Sequence, residues 1–389
     1  MSRRVCVVGV GLADGPKTPE LSGLMLEVQA FGRALTDAGL TKADIDGLAS
    51  AGYSGLHEVQ LAEYLGLAPR WLESTSVGGS SFEFHLLHAY RAIEAGDVDT
   101  VAIVYGNNEL SAAGRSLGTG RSGGGGGAGG LPLPMSYELP TGLTLVGAYA
   151  MAAQRHMHDY GTTSEQLASI GVQIREHAGR NPNAMYRDPI TVDDVLSSKL
   201  VADPLHKLDC CVVSDGGCAL ILTTEDRARD LAHRPVHVRG AAGGMTHHSI
   251  QAMPDLTRTA GAVSGPKAFA DAGITAADVD TFQMYDSFSY TVLVCLEDLG
   301  FCAKGEGGPF AASGALRLGG ALPTNTDGGG LSATHPGMRG LFLLCEATRQ
   351  LRGEAGAAQV DGAEIAVAHG SGGWLSTMGT VVLGTEPVR

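Results

Sequence analysis

Apolar residues recur along this chain in two rhythms. Short unbroken runs, Val5-Cys6-Val7-Val8, Thr100-Val101-Ala102-Ile103-Val104-Tyr105 and Glu364-Ile365-Ala366-Val367-Ala368, have the length and branching of buried strands. Between them lie stretches with apolar residues three or four apart, each stopped by a glycine. One follows Gly78-Gly79-Ser80-Ser81 and ends at Gly96; another carries Leu341, Leu344 and Leu351 on one face, reaches Arg352 and stops at Gly353. Strands alternating with helices predict an α/β fold.

The two helix-containing segments share one plan. A turn of small residues delivers the chain to a helix start, at Val77–Ser81 and again at Thr334-His335-Pro336-Gly337, and a buried strand follows after the glycine stop. This repetition predicts two related halves, residues 1–232 and 233–389, each contributing one such helix to a shared interior. Residues 107–205 break the pattern and read as a loop domain inserted in the first half. They hold the glycine run Gly123–Gly130, a helical stretch from Leu143 to Ala178, and a capped helix start at Thr191-Val192-Asp193-Asp194.

Bulk properties narrow the function. With 389 residues, 44% hydrophobic and 17% charged, the chain can bury a large aliphatic core, and its 57 glycines point to many tight turns. A net charge of -14 repels a phosphate backbone, so nucleic acid is not an expected partner. No apolar run approaches the ~20 residues of a membrane span, and the N-terminus lacks a secretory pattern, so the expected location is cytoplasmic. The seven cysteines show no metal-binding spacing and read as reduced, mostly core residues. No metal site is expected. Gly9-Val10-Gly11 begins like a dinucleotide fingerprint, but Asp14 and Pro16 stand where a glycine and a helix belong.

Five segments, in order, then carry a resemblance. They are Gly78-Gly79-Ser80-Ser81, Tyr160–Leu167, Tyr285-Asp286-Ser287-Phe288, Asn325-Thr326-Asp327-Gly328-Gly329 through His335-Pro336-Gly337, and His369-Gly370-Ser371-Gly372-Gly373, with Ser214-Asp215-Gly216-Gly217 as a further matching turn. Together they resemble the thiolase superfamily, in particular its sterol-carrier-protein or lipid-transfer-protein branch. The resemblance implies a five-layered α-β-α-β-α fold and work on acyl-CoA thioesters, with the CoA thioester as substrate and no separate cofactor. It also places the family's nucleophilic cysteine at Gly79, which has no side chain; its second cysteine at His369; its asparagine at Tyr285; and its histidine at His335.

Without a nucleophile, the expected chemistry is retro-aldol cleavage of a β-hydroxyacyl-CoA, which needs an acid, a base and an oxyanion donor but no acyl-enzyme. Tyr285, His335 and His369 are the candidate catalytic residues. A phenol ordinarily ionises near ~10, so using Tyr285 as a base at neutral pH means lowering that by roughly three units, or ~4 kcal/mol. His335, read as the start of the second central helix, is expected to donate to the thioester oxygen. His369, read as closing a strand, is either an acid/base or a histidine fixed by turn amides. Supporting positions are Asp286, which would orient Tyr285 or cap the following helix, and Ser80, Ser371 and Gly372. Ser80 and Ser81 either cap their helix or, less simply, supply a replacement nucleophile. Cys302 reads as near the site and outside the chemistry. The alternatives are an acyltransferase or condensing enzyme, and a degenerate acyl-CoA- or lipid-binding subunit.

The resemblance also implies a homodimer joined through Val101–Tyr105 and a small partner with an OB fold and zinc ribbon; the glycine run Gly123–Gly130 would either order against a partner or remain a solvent-exposed loop. The apolar character of Val101–Tyr105 on both faces fits a strand continued across an interface, and equally an internal one.

Overall fold

The computed structural model describes residues 3–52, 55–113 and 138–388, so the glycine run Gly123–Gly130 lies outside the described residues. The first half contains β1 (Val5–Leu12), α1 (Gly23–Ala38), β2 (Gly47–Ser50), α2 (His57–Leu65), β3 (Trp71–Glu73), α3 (Ser81–Ala95), β4 (Thr100–Asn107) and α4 (Glu109–Ala113). Helix α3 stops where its pattern predicts, at Gly96 in the left-handed conformation.

The inserted region supplies α5 (Leu145–Tyr160), α6 (Ser164–Ala178), α7 (Val192–Ser197) and a small hairpin of β5 (Leu200–Ala202) and β6 (Leu205–His206). Helix α7 opens with the predicted capping box, in which Thr191 and Asp194 satisfy each other's backbone amides. The chain continues through β7 (Gly216–Thr224), α8 (Glu225–Ala228), β8 (Val236–Met245), α9 (Gly261–Ala272), β9 (Thr281–Met284), α10 (Ser289–Asp298), α11 (Gly307–Ala312), α12 (Gly340–Arg352), β10 (Ile365–Gly372) and β11 (Thr377–Gly384).

The strand order is β3-β2-β4-β7-β1 followed by β8-β11-β10-β9. Each half repeats the same pairing. β2 runs parallel to β4, which is antiparallel to β7, and β7 to β1; likewise β9 is parallel to β10, which is antiparallel to β11, and β11 to β8. Among the described residues, the sheets of the two halves pair where Cys6 and Val7 register with His237 and Val236. Helix α1 covers β1, β4 and β7 from outside, and α9 covers β8 and β11. Helices α3 and α12 touch strands of both halves and each other, which makes them the middle layer of five. Glycine permits their approach: a Cβ on Gly340 would lie 2.4 Å from the Gly79 carbonyl oxygen.

The reading of Val101–Tyr105 as an interface strand does not hold. Val101 registers with Gly47 on one side and Leu222 on the other, so both edges of β4 are hydrogen-bonded within the chain. The open edge of the first half is β3, where Leu72 is 46% exposed. No helix among the described residues is long and apolar enough to cross a membrane.

Candidate active site

Tyr285 follows β9 directly, and its N–H donates to the His369 carbonyl (2.9 Å), extending the β9–β10 pairing by one residue. This fixes the backbone and aims the side chain inward, where it is 5% exposed. Its hydroxyl meets Nε2 of His335 at 2.9 Å, with the rings edge-on at 5.5 Å and 88°. Both residues belong to the second half, 50 positions apart in the chain, and the path from β9 to the loop before α12 brings them together.

His335 does not begin a helix. Helix α12 starts only at Gly340, because Gly337 is left-handed (φ 87°) and Arg339 is not helical. His335 instead occupies a loop after a single π-helical turn, Gly329–Ala333, and that loop is tied down along its length. The His335 N–H donates to Ser214 Oγ (2.9 Å), which also bonds Thr334 Oγ1 (2.8 Å). Tyr105, from β4, donates its hydroxyl to the Pro336 carbonyl (2.5 Å) and accepts from the Met338 N–H (3.1 Å). Arg339, fully buried, donates to the Thr334 carbonyl (2.9 Å) and to both carboxylate oxygens of Asp327.

Asp286 neither orients Tyr285 nor caps α10. Its two oxygens accept from the N–H groups of Gly330 (2.7 Å) and Leu331 (3.0 Å), and one lies 3.6 Å from Arg339 Nε. It therefore anchors the π-turn that leads to His335. Burial raises its carboxyl to about 6, opposed by Arg339 and the two amides. Burial and the Arg339 charge push the His335 imidazole down to about 4, so the ring facing Tyr285 is neutral at pH 7 with one nitrogen free to accept.

The structure does not bring His369 to this pair. Strand β10 continues to Gly372, so His369 lies mid-strand opposite Thr380. A Cβ at Gly370 would run into Glu83 of α3, and one at Gly372 into Ser80 Oγ, so those positions face the middle layer. Strand alternation turns His369 the other way, towards Gly261 of α9, with Nδ1 bonded to Thr380 Oγ1 at 2.8 Å. Burial pushes this ring down to about 3.

Ser80 Oγ bonds Thr377 Oγ1 (2.9 Å), and Ser81 Oγ accepts from the Val77 N–H and donates to the Gly78 carbonyl. Each hydroxyl is a structural tie. Ser371 and Gly372 end β10 in register with Met378 and Thr377. Burial holds Cys302 as a thiol, raised to about 12. Sequence reasoning missed Tyr105, Ser214 and Arg339 as supports of His335. It missed Tyr149 of α5 too, whose hydroxyl donates to the Gly373 carbonyl (3.1 Å) and whose ring packs 4.5 Å from Phe288. Only Ser214 left a signal, in its Ser-Asp-Gly-Gly turn.

Among the described residues, one group could gather around a metal: Asp37, His233 and Glu354. Arg352 already pairs with Asp37 at 2.8 Å, supplying the positive charge there. Two clefts lie near this region and along α5. One, about 760 Å³ between α1 and α12, reaches Thr334 on the far side of the His335 loop; the other, about 860 Å³, runs along α5 from Thr144 to Val201.

Comparison with known proteins identifies the family. Residues 242–385 match the family described as "Thiolase C-terminal domain-like". The chain is 35% identical over 366 residues to the Mycobacterium tuberculosis protein named "17-hydroxy-3-oxo-4-pregnene-20-carboxyl-CoA lyase", covering 91% of this chain and 92% of that one. It is 34% identical over 393 residues to the "Steroid side-chain-cleaving aldolase" of Thermomonospora curvata, covering 98% and 97%. A solved structure described as "Ltp2-ChsH2(DUF35) aldolase" superposes with a TM-score of 0.88 at 31% identity, covering 98% of each chain. The chain belongs to the thiolase superfamily, among its thiolase-like acyl-CoA aldolases.

Proposed function

We propose that this protein cleaves a β-hydroxyacyl-CoA by a retro-aldol reaction in which Tyr285 and His335 move the proton. The observation that carries this is the 2.9 Å contact between the Tyr285 hydroxyl and a neutral His335 Nε2, opposite a position with no nucleophile. As the Cα–Cβ bond breaks, the phenol oxygen takes the β-hydroxyl proton and passes its own to Nε2. The β-carbon leaves as a ketone or aldehyde. The bonding pair moves into the thioester enolate, and the proton held by the pair returns to Cα. Atoms and charge balance within the substrate and two side chains, so the step calls for no cofactor beyond the CoA thioester.

Steroid side-chain CoA thioesters, of the kind in the Mycobacterium tuberculosis relative's name, are the first substrates to assay. Mass spectrometry of the purified chain after incubation should show the carbonyl product and the shortened acyl-CoA, with the protein mass unchanged. An acyl adduct on Ser80 would replace this reading with acyl transfer. Ser80 is bonded to Thr377 and has no adjacent base, which favours the lyase.

The assembly we propose is a cytoplasmic homodimer that continues its sheet through β3, whose outer edge is open and whose Leu72 is exposed. With it we place a small subunit carrying an OB fold and a zinc ribbon, in keeping with the two-component name of the superposed aldolase. A monodisperse monomer that cleaves substrate at full rate alone would refute this assembly.

A further inference from the structure

We propose that Gly79 decides which chemistry this site runs, because a side chain at 79 and a phenol at 285 exclude each other. A Cβ built on Gly79 would lie 2.3 Å from Cε2 and 2.4 Å from Cζ of Tyr285, and 2.5 Å from the Ser371 carbonyl oxygen. Non-bonded carbons rest at about 3.5–4.0 Å, so the Tyr285 ring stands where that side chain would be.

The backbone gives no other reason for glycine here. Gly78 is left-handed (φ 78°), but Gly79 is not among the positive-φ residues, so its φ does not call for glycine. The requirement is for space.

None of the neighbours is free to retreat. The Tyr285 backbone is bonded to His369 and its hydroxyl to His335. Ser371 is held in β10 opposite Met378. The Gly79 carbonyl oxygen is within 2.4 Å of where a Cβ on Gly340 would fall, so the backbone at 79 is packed tightly against the start of α12 as well. Even one methyl group at 79 must therefore displace the phenol from His335 Nε2. Gly79 is the specificity-determining position of this site, and its effect is exerted through Tyr285.

This inference rests on the Tyr285–His335 reading for its catalytic half and on geometry alone for its steric half. The test is a set of four proteins: wild type, Gly79→Ala, Tyr285→Ala and Gly79→Ala/Tyr285→Ala, compared by thermal midpoint and by turnover of a β-hydroxyacyl-CoA. Gly79→Ala should lower the midpoint by about 5 °C or more, as overpacking a rigid site does, and lower turnover by ~10²-fold or more. In the Tyr285→Ala background the methyl group enters the vacated volume, and α3 can ease off Ser371. The same substitution should then cost less than half as many degrees. If Gly79→Ala does not fold, a folded double variant makes the same point. Equal midpoint losses in both backgrounds, an unchanged Gly79→Ala protein, or a double variant that unfolds where Tyr285→Ala folds would each overturn the proposal. The midpoints report on exclusion even if the wild type cleaves nothing, so a failure of the lyase reading is separable from a failure of this one.

Discussion

Asp286 and Arg339 face each other at 3.6 Å in the interior, neither side chain exposed, one from the segment after β9 and the other just before α12. Through them the residue after Tyr285 grips the loop that presents His335. Asp286 holds the π-turn by two amides, and Arg339 holds the Thr334 carbonyl next to the histidine. A buried charge pair thus supports the placement of His335 against Tyr285.

Asp286→Asn keeps the shape but offers one acceptor oxygen where two N–H groups need acceptors, and it leaves Arg339 one partner short. Breaking a buried pair from one side costs roughly 3–5 kcal/mol. Steady-state kinetics should show turnover down by ~10–100-fold with KM within a few-fold, since the loss acts through His335 placement. A larger change in KM than in kcat would place Asp286 on substrate binding.

Tyr285→Phe removes only the hydroxyl that meets His335. Cleavage should fall by ~10²–10⁴-fold, the range of general acid–base catalysis, while the thermal midpoint stays close to wild type. Near-normal turnover in the phenylalanine variant would return Tyr285 to a packing role.

His335 sits near 4, and the proposed step needs its neutral ring. The pH profile of kcat/KM should therefore hold level down through pH 6 and show its acid limb near pH 4, below the ~6.5 of an ordinary histidine. His335→Ala should abolish that limb together with most of the activity. A limb near 6.5 in the wild type would mean that the ring is not held neutral by its surroundings.

His369, held near 3 and turned away from the Tyr285–His335 pair, should affect stability rather than turnover. Its folded value lies below the unfolded one, so its stabilising contribution is present above about pH 6.5 and is lost as pH falls towards 3, because the unfolded chain binds a proton that the folded chain does not. His369→Gln should flatten the fall of the urea midpoint between pH 6.5 and pH 4. An unchanged slope would show that other groups carry the acid sensitivity.

Tyr105→Phe deletes the hydroxyl that bridges Pro336 and Met338 and leaves a buried carbonyl and N–H unpaired, a loss of about 1–3 kcal/mol. The thermal midpoint should drop, and turnover should fall by a smaller factor than in Tyr285→Phe, with the pH limb unmoved. A shifted limb would mean that Tyr105 tunes the imidazole itself.

The sequence alone determined the alternation of strands and helices, the repeated half and the glycine stops at Gly96 and Gly353, because these follow from local periodicity and turn chemistry, while the family resemblance marked Gly79 as a vacated nucleophile position. It also marked Tyr285 and His335 as reactive types. Tertiary structure decided what each one faces. Periodicity marked β4 as buried but could not say whether its neighbours came from this chain or another, and the pairing with β2 and β7 answered that. The reach of β10 past His369 fixed which way that ring points, since one residue of strand reverses the face. Asp286, Ser214 and Tyr105 converge on one loop from distant parts of the chain, and Arg339 closes it from its own C-terminal end. Hydrogen bonds between residues so far apart leave no local signature, so only the packed fold could show that these four hold His335 against Tyr285.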